Sequence, residues 1–158
     1  MSIQPITSEH RERVNAIIDE EWGNPIVTCG KATDVTTLPG FISISNDSIN
    51  GVITYNIEHS ECEIITLNCF EENKGIGTAL IREVVAIAKE NGCHRLWLIT
   101  TNDNIGAIRF YQKKGFDFAA LHINAIEESR KIKPCIPLIG MDNIPIKHEL
   151  EFEMKLKS

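Results

Sequence analysis

The chain has 158 residues, 42% hydrophobic and 24% charged, which suits one globular domain, residues 1–158, with a core of its own. Its formal net charge of −6 disfavours a nucleic-acid partner, since such surfaces cluster Lys and Arg, and suits a cationic acceptor. No apolar run is long enough to span a membrane and the start MSIQPITSEHRER lacks the apolar core of a secretory signal, so a cytoplasmic protein without a membrane partner is expected.

Residues 3–6 read as a short first strand, after which Thr7 or Ser8 can cap a helix running to about Trp22, with Val14, Ile17, Ile18 and Trp22 at helical spacing. Residues 23–40 are rich in Gly, Pro and Thr, lack a clear period, and read either as cover for a substrate pocket or as a connecting loop. Residues 41–45 alternate apolar and polar, Asn46-Asp47-Ser48 is turn-like, residues 52–57 alternate again, and Glu58-His59-Ser60 turns into a strand at Glu61: an antiparallel meander.

The stretch 61–88 runs from that strand through Lys74-Gly75-Ile76-Gly77-Thr78 into a helix with Ile76, Leu80, Val84, Ile87 and Ala88 on one face, ended by Asn91-Gly92. The first amides of a helix lack intrahelical partners, and glycines let an anion approach them, so this turn is a candidate diphosphate site. It is not the nucleoside-triphosphate loop, because Lys74 precedes Gly75 and nothing basic follows Gly77. It is a poor dinucleotide fingerprint, because Leu80 stands where a third small residue belongs. Plain turn chemistry is the other reading of the same letters.

Residues 95–100 are apolar on both faces, as a central strand requires, and complete a strand–helix–strand crossover, expected parallel and right-handed. A helix follows over about 104–114, closed by Gly115, then a strand at 116–123, a helix at 124–133 and a last strand at 148–156. The excursion 134–146, with three prolines and a glycine, reads as functional or partner-facing. The five cysteines, Cys29, Cys62, Cys69, Cys93 and Cys135, are odd in number and form no CxxC pair, so neither a disulfide framework nor a metal site is expected.

Residues 100–116, TTNDNIGAIRFYQKKGF, place Asn104, Ala107, Phe110, Tyr111, Gly115 and Phe116 in the pattern N-x-x-A-x-x-F-Y-x-x-x-G-F. With the earlier Glu72-x-x-Gly75-x-Gly77, this strongly resembles the GNAT superfamily of acyl-CoA N-acyltransferases, and the likeness is specific over about residues 61–116. It implies an α/β fold with a mixed, mostly antiparallel seven-stranded sheet, helices on both faces, and a splay between the sheet's fourth and fifth strands, here near 61–68 and 95–100, that admits acetyl-CoA. It further implies that the pantetheine arm follows backbone groups of Leu67, Asn68 and Cys69, and that the pyrophosphate meets the amides of Asn73, Lys74, Gly75, Ile76, Gly77 and Thr78. Asn104, Ala107 and Tyr111 complete the cofactor-binding set. The chain departs from the family at Glu72, where Gln or Arg is usual, and at Cys69 and Phe70, where a proline-led turn is common.

Acyl transfer to an amine needs a neutral amine, a stabilised oxyanion and a proton for the departing thiolate. Alkylammonium groups have pKa values of about 10, so a base must first remove a proton. Glu61 and Glu63, two apart on one strand and expected on the face that also carries Leu67, are the candidate bases, directly or through water; otherwise they are solvated strand carboxylates. The resemblance makes Tyr111 the general acid, the alternative being a packed core aromatic with a locally bonded hydroxyl. Asn104 caps its helix by default and, by the resemblance, also bonds the pantetheine. Strand amides near Leu67–Cys69 would polarise the thioester carbonyl. Cys69 lacks an evident His partner for an acyl-enzyme, His122 and His148 read as structural, and Trp22 and Phe41 either line the acceptor pocket or fill core.

The expected activity is acetyl transfer from acetyl-CoA to a primary amine of a small molecule or peptide in a direct ternary complex. Two rivals stand beside it: a CoA-binding sensor without turnover, and a structural module docking through its proline-rich excursion. Joining of edge strands offers a route to a homodimer.

Overall fold

The computed structural model describes residues 2–71 and 75–157; Glu72, Asn73 and Lys74 lie outside the described residues. In chain order the elements are β1 (Ser2–Pro5), α1 (Arg11–Trp22), β2 (Ile26–Thr28), β3 (Lys31–Thr33), β4 (Gly40–Ser45), β5 (Ser48–Glu58), β6 (Glu61–Cys69), α2 (Ile76–Glu90), β7 (Arg95–Thr101), α3 (Ile105–Lys113), β8 (Asp117–His122), α4 (Ala125–Ile132) and β9 (Glu149–Lys155), with a single 3₁₀ turn at Met141–Asn143. Seven strands form one mostly antiparallel sheet in the order β1-β4-β5-β6-β7-β9-β8, and β2 and β3 form a separate pair. This is the mixed α/β architecture expected. No helix among the described residues is long and apolar enough to cross a membrane.

The chain forms two compact units, one of Met1–Asn24, Asp34–Leu96 and Lys155–Ser158, the other of Pro25–Thr33 and Trp97–Met154. In the first, β4, β5 and β6 make the expected meander. Its two turns, Asn46-Asp47 and His59-Ser60, have positive φ at both residues, the twist that a two-residue hairpin needs. The helix α2 buries Ile76, Leu80, Ile81, Val84 and Ala88, residues a turn apart that form one stripe. That stripe rests on β5 where the chain has Gly51, whose Cβ would stand 2.6 Å from Ile76 Cγ2 and 3.1 Å from Leu80 Cδ1. Glycine there sets how closely the helix start approaches the sheet. On the opposite face α1 buries Val14 and Ile18, and one turn later Trp22 Nε1 donates to Asn68 Oδ1 at 2.7 Å. Helices thus cover both faces of this part of the sheet. The first helix starts later than its sequence suggests: His10 stands at the cap position without a capping side chain, and Thr7 Oγ1 instead lies 3.3 Å from His10 Nδ1.

In the second unit, residues 26–33 form the β2–β3 hairpin rather than an aperiodic loop. Its turn, Cys29-Gly30, again has two positive φ values. The hairpin is fastened by Glu149, 1% exposed, whose carboxylate accepts from the Cys29 amide at 3.0 Å and from the Ser129 hydroxyl at 2.9 Å. The excursion after α4 is likewise ordered by polar contacts. Arg130 donates to the carbonyls of Ile136, Pro137 and Ile146, and Asn102 Oδ1 accepts from the amides of Lys147 and His148.

Candidate functional site

In the first unit the site is built from β6 and the start of α2. Opposed residues of an antiparallel pair lie on the same face of the sheet, so the pairing assigns every side chain of β6 to a side. Ile57 pairs with Cys62 and Tyr55 with Ile64, but the register then shifts, and Thr54 pairs with Thr66, Ile53 with Leu67, Val52 with Asn68 and Gly51 with Cys69. Ile65 is the extra residue of a β-bulge. A bulge changes the parity of alternation. Cys62, Ile64, Leu67 and Cys69 therefore lie on the α2 face, whereas Glu61, Glu63, Thr66 and Asn68 lie on the α1 face. This corrects the expectation that Glu61 and Glu63 share a face with Leu67, which strict period-two alternation would have required.

The two carboxylates differ in surroundings. Glu61 accepts from Arg95 Nε at 2.9 Å and lies 3.3 Å from His94 Nε2. Glu63 stands opposite Asn56, half-buried, two positions nearer the bulge. Asn68, expected to act through its backbone, also uses its side chain, as the acceptor for Trp22; Trp22 is 41% exposed and so is not core. Phe41, by contrast, is buried on the α2 face, stacked on Tyr55 with ring centroids 6.3 Å apart.

At the start of α2, Gly75 takes the left-handed conformation, φ 72° and ψ 12°, and among the described residues no side chain caps the helix. Among the described residues, the helical ladder begins with the Ala79 amide donating to the Gly75 carbonyl at 3.0 Å. The amides of Ile76, Gly77 and Thr78 precede it and so fall among the orphan donors of a helix start. Among the described residues, a Cβ on Gly75 would meet nothing within 4 Å. A glycine-led helix start with its first amides facing the turn fits a phosphate group. The corresponding expectations for Asn73 and Lys74 lie outside the described residues.

In the second unit Asn104 is the N-cap of α3, its Oδ1 accepting from the Ala107 amide at 3.1 Å. Tyr111, two turns on, is buried, with its ring edge-on to Phe116 at 5.4 Å and tilted on Phe152 at 6.3 Å. Phe116 and Phe152 are themselves fully enclosed, so the phenol is carried on a ring that packing holds still. The two residues before Asn104 anchor the excursion: Asn102 binds Lys147 and His148, and Asp103 Oδ2 accepts from the Met141 amide at 3.0 Å. A cavity of about 390 Å³ lies between α4 and that excursion, with Arg130, Glu127, Leu138 and Ile139 in its wall; none of the sequence-predicted catalytic residues lines it.

The remaining candidates have structural surroundings. His122 Nε2 lies 3.0 Å from Glu151, and His148 Nδ1 accepts from the Asn124 amide at 2.9 Å. Burial pushes the Cys69 thiol up from its ordinary value, the opposite of what an acyl-accepting thiolate needs. Sequence reasoning missed the bulge at Ile65, which no letter of β6 announces, and the 26–33 hairpin. The hairpin did leave a signal, two short runs with β-branched residues, IVT and KAT, separated by two residues that include a glycine.

The chain matches the acetyltransferase (GNAT) family model over residues 8–116. It is 41% identical over 152 residues to the uncharacterized protein YxbD of Bacillus subtilis strain 168, covering 95% of this chain and 96% of that protein. Among solved structures it is similar to an IAA acetyltransferase from Bacillus cereus ATCC 14579, with a TM-score of 0.74 and 20% identity over 98% of this chain and 99% of the other. It is also similar to a GNAT family acetyltransferase from Elizabethkingia anophelis with acetyl-CoA bound, with a TM-score of 0.71 and 20% identity over 98% and 97% of the two chains.

Proposed function

The chain belongs to the GNAT acetyltransferase family, and we propose that it moves an acetyl group from acetyl-CoA to a primary amine of a small molecule or peptide by direct transfer. The observation that carries this reading is the start of α2, where Gly75 holds the left-handed conformation just ahead of the helix's first amides, an arrangement that suits a diphosphate. Acetyl-CoA, bound in a solved relative, supplies the activated acyl group as a thioester. The amides of Gly75, Ile76, Gly77 and Thr78, with those of Asn73 and Lys74, hold the pyrophosphate; backbone groups of Leu67, Asn68 and Cys69 hold the pantetheine. By the family resemblance, Asn104 and Ala107 at the start of α3 belong to the cofactor-binding set as well.

The chemistry falls to two side chains. Glu63, two positions nearer than Glu61 to the Leu67–Cys69 backbone, takes a proton from the ammonium form of the acceptor, directly or through a water. The amine nitrogen then bonds to the acyl carbon as the carbon–sulfur bond breaks, Tyr111 gives its phenolic proton to the departing sulfur, and the second proton shed by the nitrogen as the amide forms passes through solvent and restores the phenol. The exposed Trp22, bonded to Asn68 on the same face as Glu63, borders the acceptor's approach.

The test is chromatographic detection of CoA and acetylated product with a panel of polyamines, amino acids, aminoglycosides and peptide amines. Amine-dependent product establishes the transferase. Saturable acetyl-CoA binding without product from any amine would replace it with a CoA-binding sensor.

A further inference from the structure

The strand β8 ends the sheet order, and its outer edge is its most unusual feature. Edge strands are ordinarily blunted by Lys, Pro or a covering segment, because their open N–H and C=O groups template association. The six residues of β8, DFAALH, include no Lys, Arg or Pro, and Phe118 and Leu121 are 56% and 57% exposed, followed by Ile123 at 68%.

The strand's faces follow from its pairing with β9. Phe118 opposes Phe152 and Leu121 opposes Leu150, while Asp117, Ala120 and His122 oppose Glu153, Glu151 and Glu149; a register shift between Phe118 and Ala120 makes Ala119 the extra residue. Phe118 and Leu121 consequently share one face, and Asp117 and His122 share the other. Regular alternation would have put Phe118 and Leu121 on opposite faces.

We propose that β8 pairs antiparallel with β8 of a second copy of this chain, about a two-fold axis between Ala119 and Ala120. In that register Asp117 faces His122 of the second copy, Phe118 faces Leu121, and the two alanines face each other. Each contact occurs twice, as an isologous interface requires. The bulge is what makes the strand self-complementary, acid to imidazole on one face and apolar to apolar on the other. His122 already contacts Glu151 through Nε2, which holds its ring on the face where Asp117 of the second copy arrives. This inference does not depend on the proposed activity.

Light scattering on the purified protein across micromolar concentrations should give twice the 17.7 kDa chain mass. Leu121→Lys should weaken association at least about a hundredfold, because two unpaired charges enter an apolar contact. Phe118→Lys combined with Leu121→Glu should restore the dimer by placing opposite charges across the axis. A monomeric wild type, a Leu121→Lys protein that dimerises as before, or a double variant that stays monomeric would overturn the pairing. Hydrogen exchange on the wild type gives a reading that needs no variant: β8 amides should gain protection as concentration rises, and unchanged protection would overturn it.

Discussion

The hydroxyls of Thr54 and Thr66 lie 2.6 Å apart in the core, and this contact marks where β6 changes the side it serves. Beyond the bulge at Ile65 the strand is in the register that Thr54–Thr66 reports, with Leu67 toward α2. Before the bulge, Glu63 stands on the α1 face with Asn68 and its partner Trp22. Had β6 alternated regularly, Glu63 would have been on the side covered by α2.

Both carboxylates lie on the α1 face, but Glu61 pairs with Arg95 whereas Glu63 stands two positions nearer the bulge. Glu63→Gln should lower kcat/KM about a hundredfold with its rise toward alkaline pH lost, the usual size of a general-base contribution. Glu61→Gln should leave the pH profile in place and cost up to about 1 kcal/mol of stability, since it loosens a partly exposed pair with Arg95. Rate profiles and thermal melts on both variants check this.

Gly51→Ala tests the seating of α2. The added methyl meets Ile76 and Leu80, and overpacking of that kind costs about 1–3 kcal/mol. Because Ile76 is also the first residue of the helix, acetyl-CoA affinity should fall along with stability. Denaturation and titration calorimetry would show both, and an unchanged affinity would separate the helix start from the cofactor.

The His59-Ser60 turn holds two non-glycine residues in left-handed conformation, at φ 53° and 60°. Each such residue costs about 1–2 kcal/mol relative to its ordinary backbone state. Replacing the pair by Asn-Gly should therefore stabilise the protein by roughly 1 kcal/mol after the glycine's greater unfolded freedom is counted, read from urea denaturation.

Burial pushes the Cys62 thiol from 9.0 up to about 12. A thiol whose proton is held more tightly in the folded state contributes stability that is fully present below its unfolded value. That contribution is lost as pH rises from about 9 toward about 12, because the unfolded chain then binds fewer protons. The slope from one such group is at most about 1.4 kcal/mol per pH unit. Cys62→Val should flatten the alkaline side of the stability profile, and in the native wild type Cys62 should resist alkylation at pH values where Cys29 and Cys135, both exposed, react.

Much of this architecture was legible because it follows from local chemistry. The stripe of α2, the Asn104 cap of α3 and the turns at Asn46-Asp47 and His59-Ser60 are set by residues close in sequence, and each stands where periodicity and turn composition put it. The bulges were not legible. Ile65 and Ala119 are extra residues only relative to a partner strand, and the parity they change depends on pairings such as Thr54 with Thr66 that no neighbouring letter encodes. The start of α1 was misplaced because Thr7 turns its hydroxyl toward His10 instead of capping a helix at once. Trp22 was ambiguous for a similar reason: its helical spacing matches Val14 and Ile18, yet its indole N–H is spent on Asn68, a residue 46 positions away.

The central claim is tested most directly by following an acetyl-labelled acetyl-CoA with an accepted amine by mass spectrometry, comparing wild type with Tyr111→Phe. The account predicts label in the amide of the product, no labelled protein on the way, one CoA released per product, and at least a tenfold fall in kcat in the variant with acetyl-CoA binding retained. Label accumulating on the protein, or full turnover by the variant, would contradict direct transfer with Tyr111 as the acid.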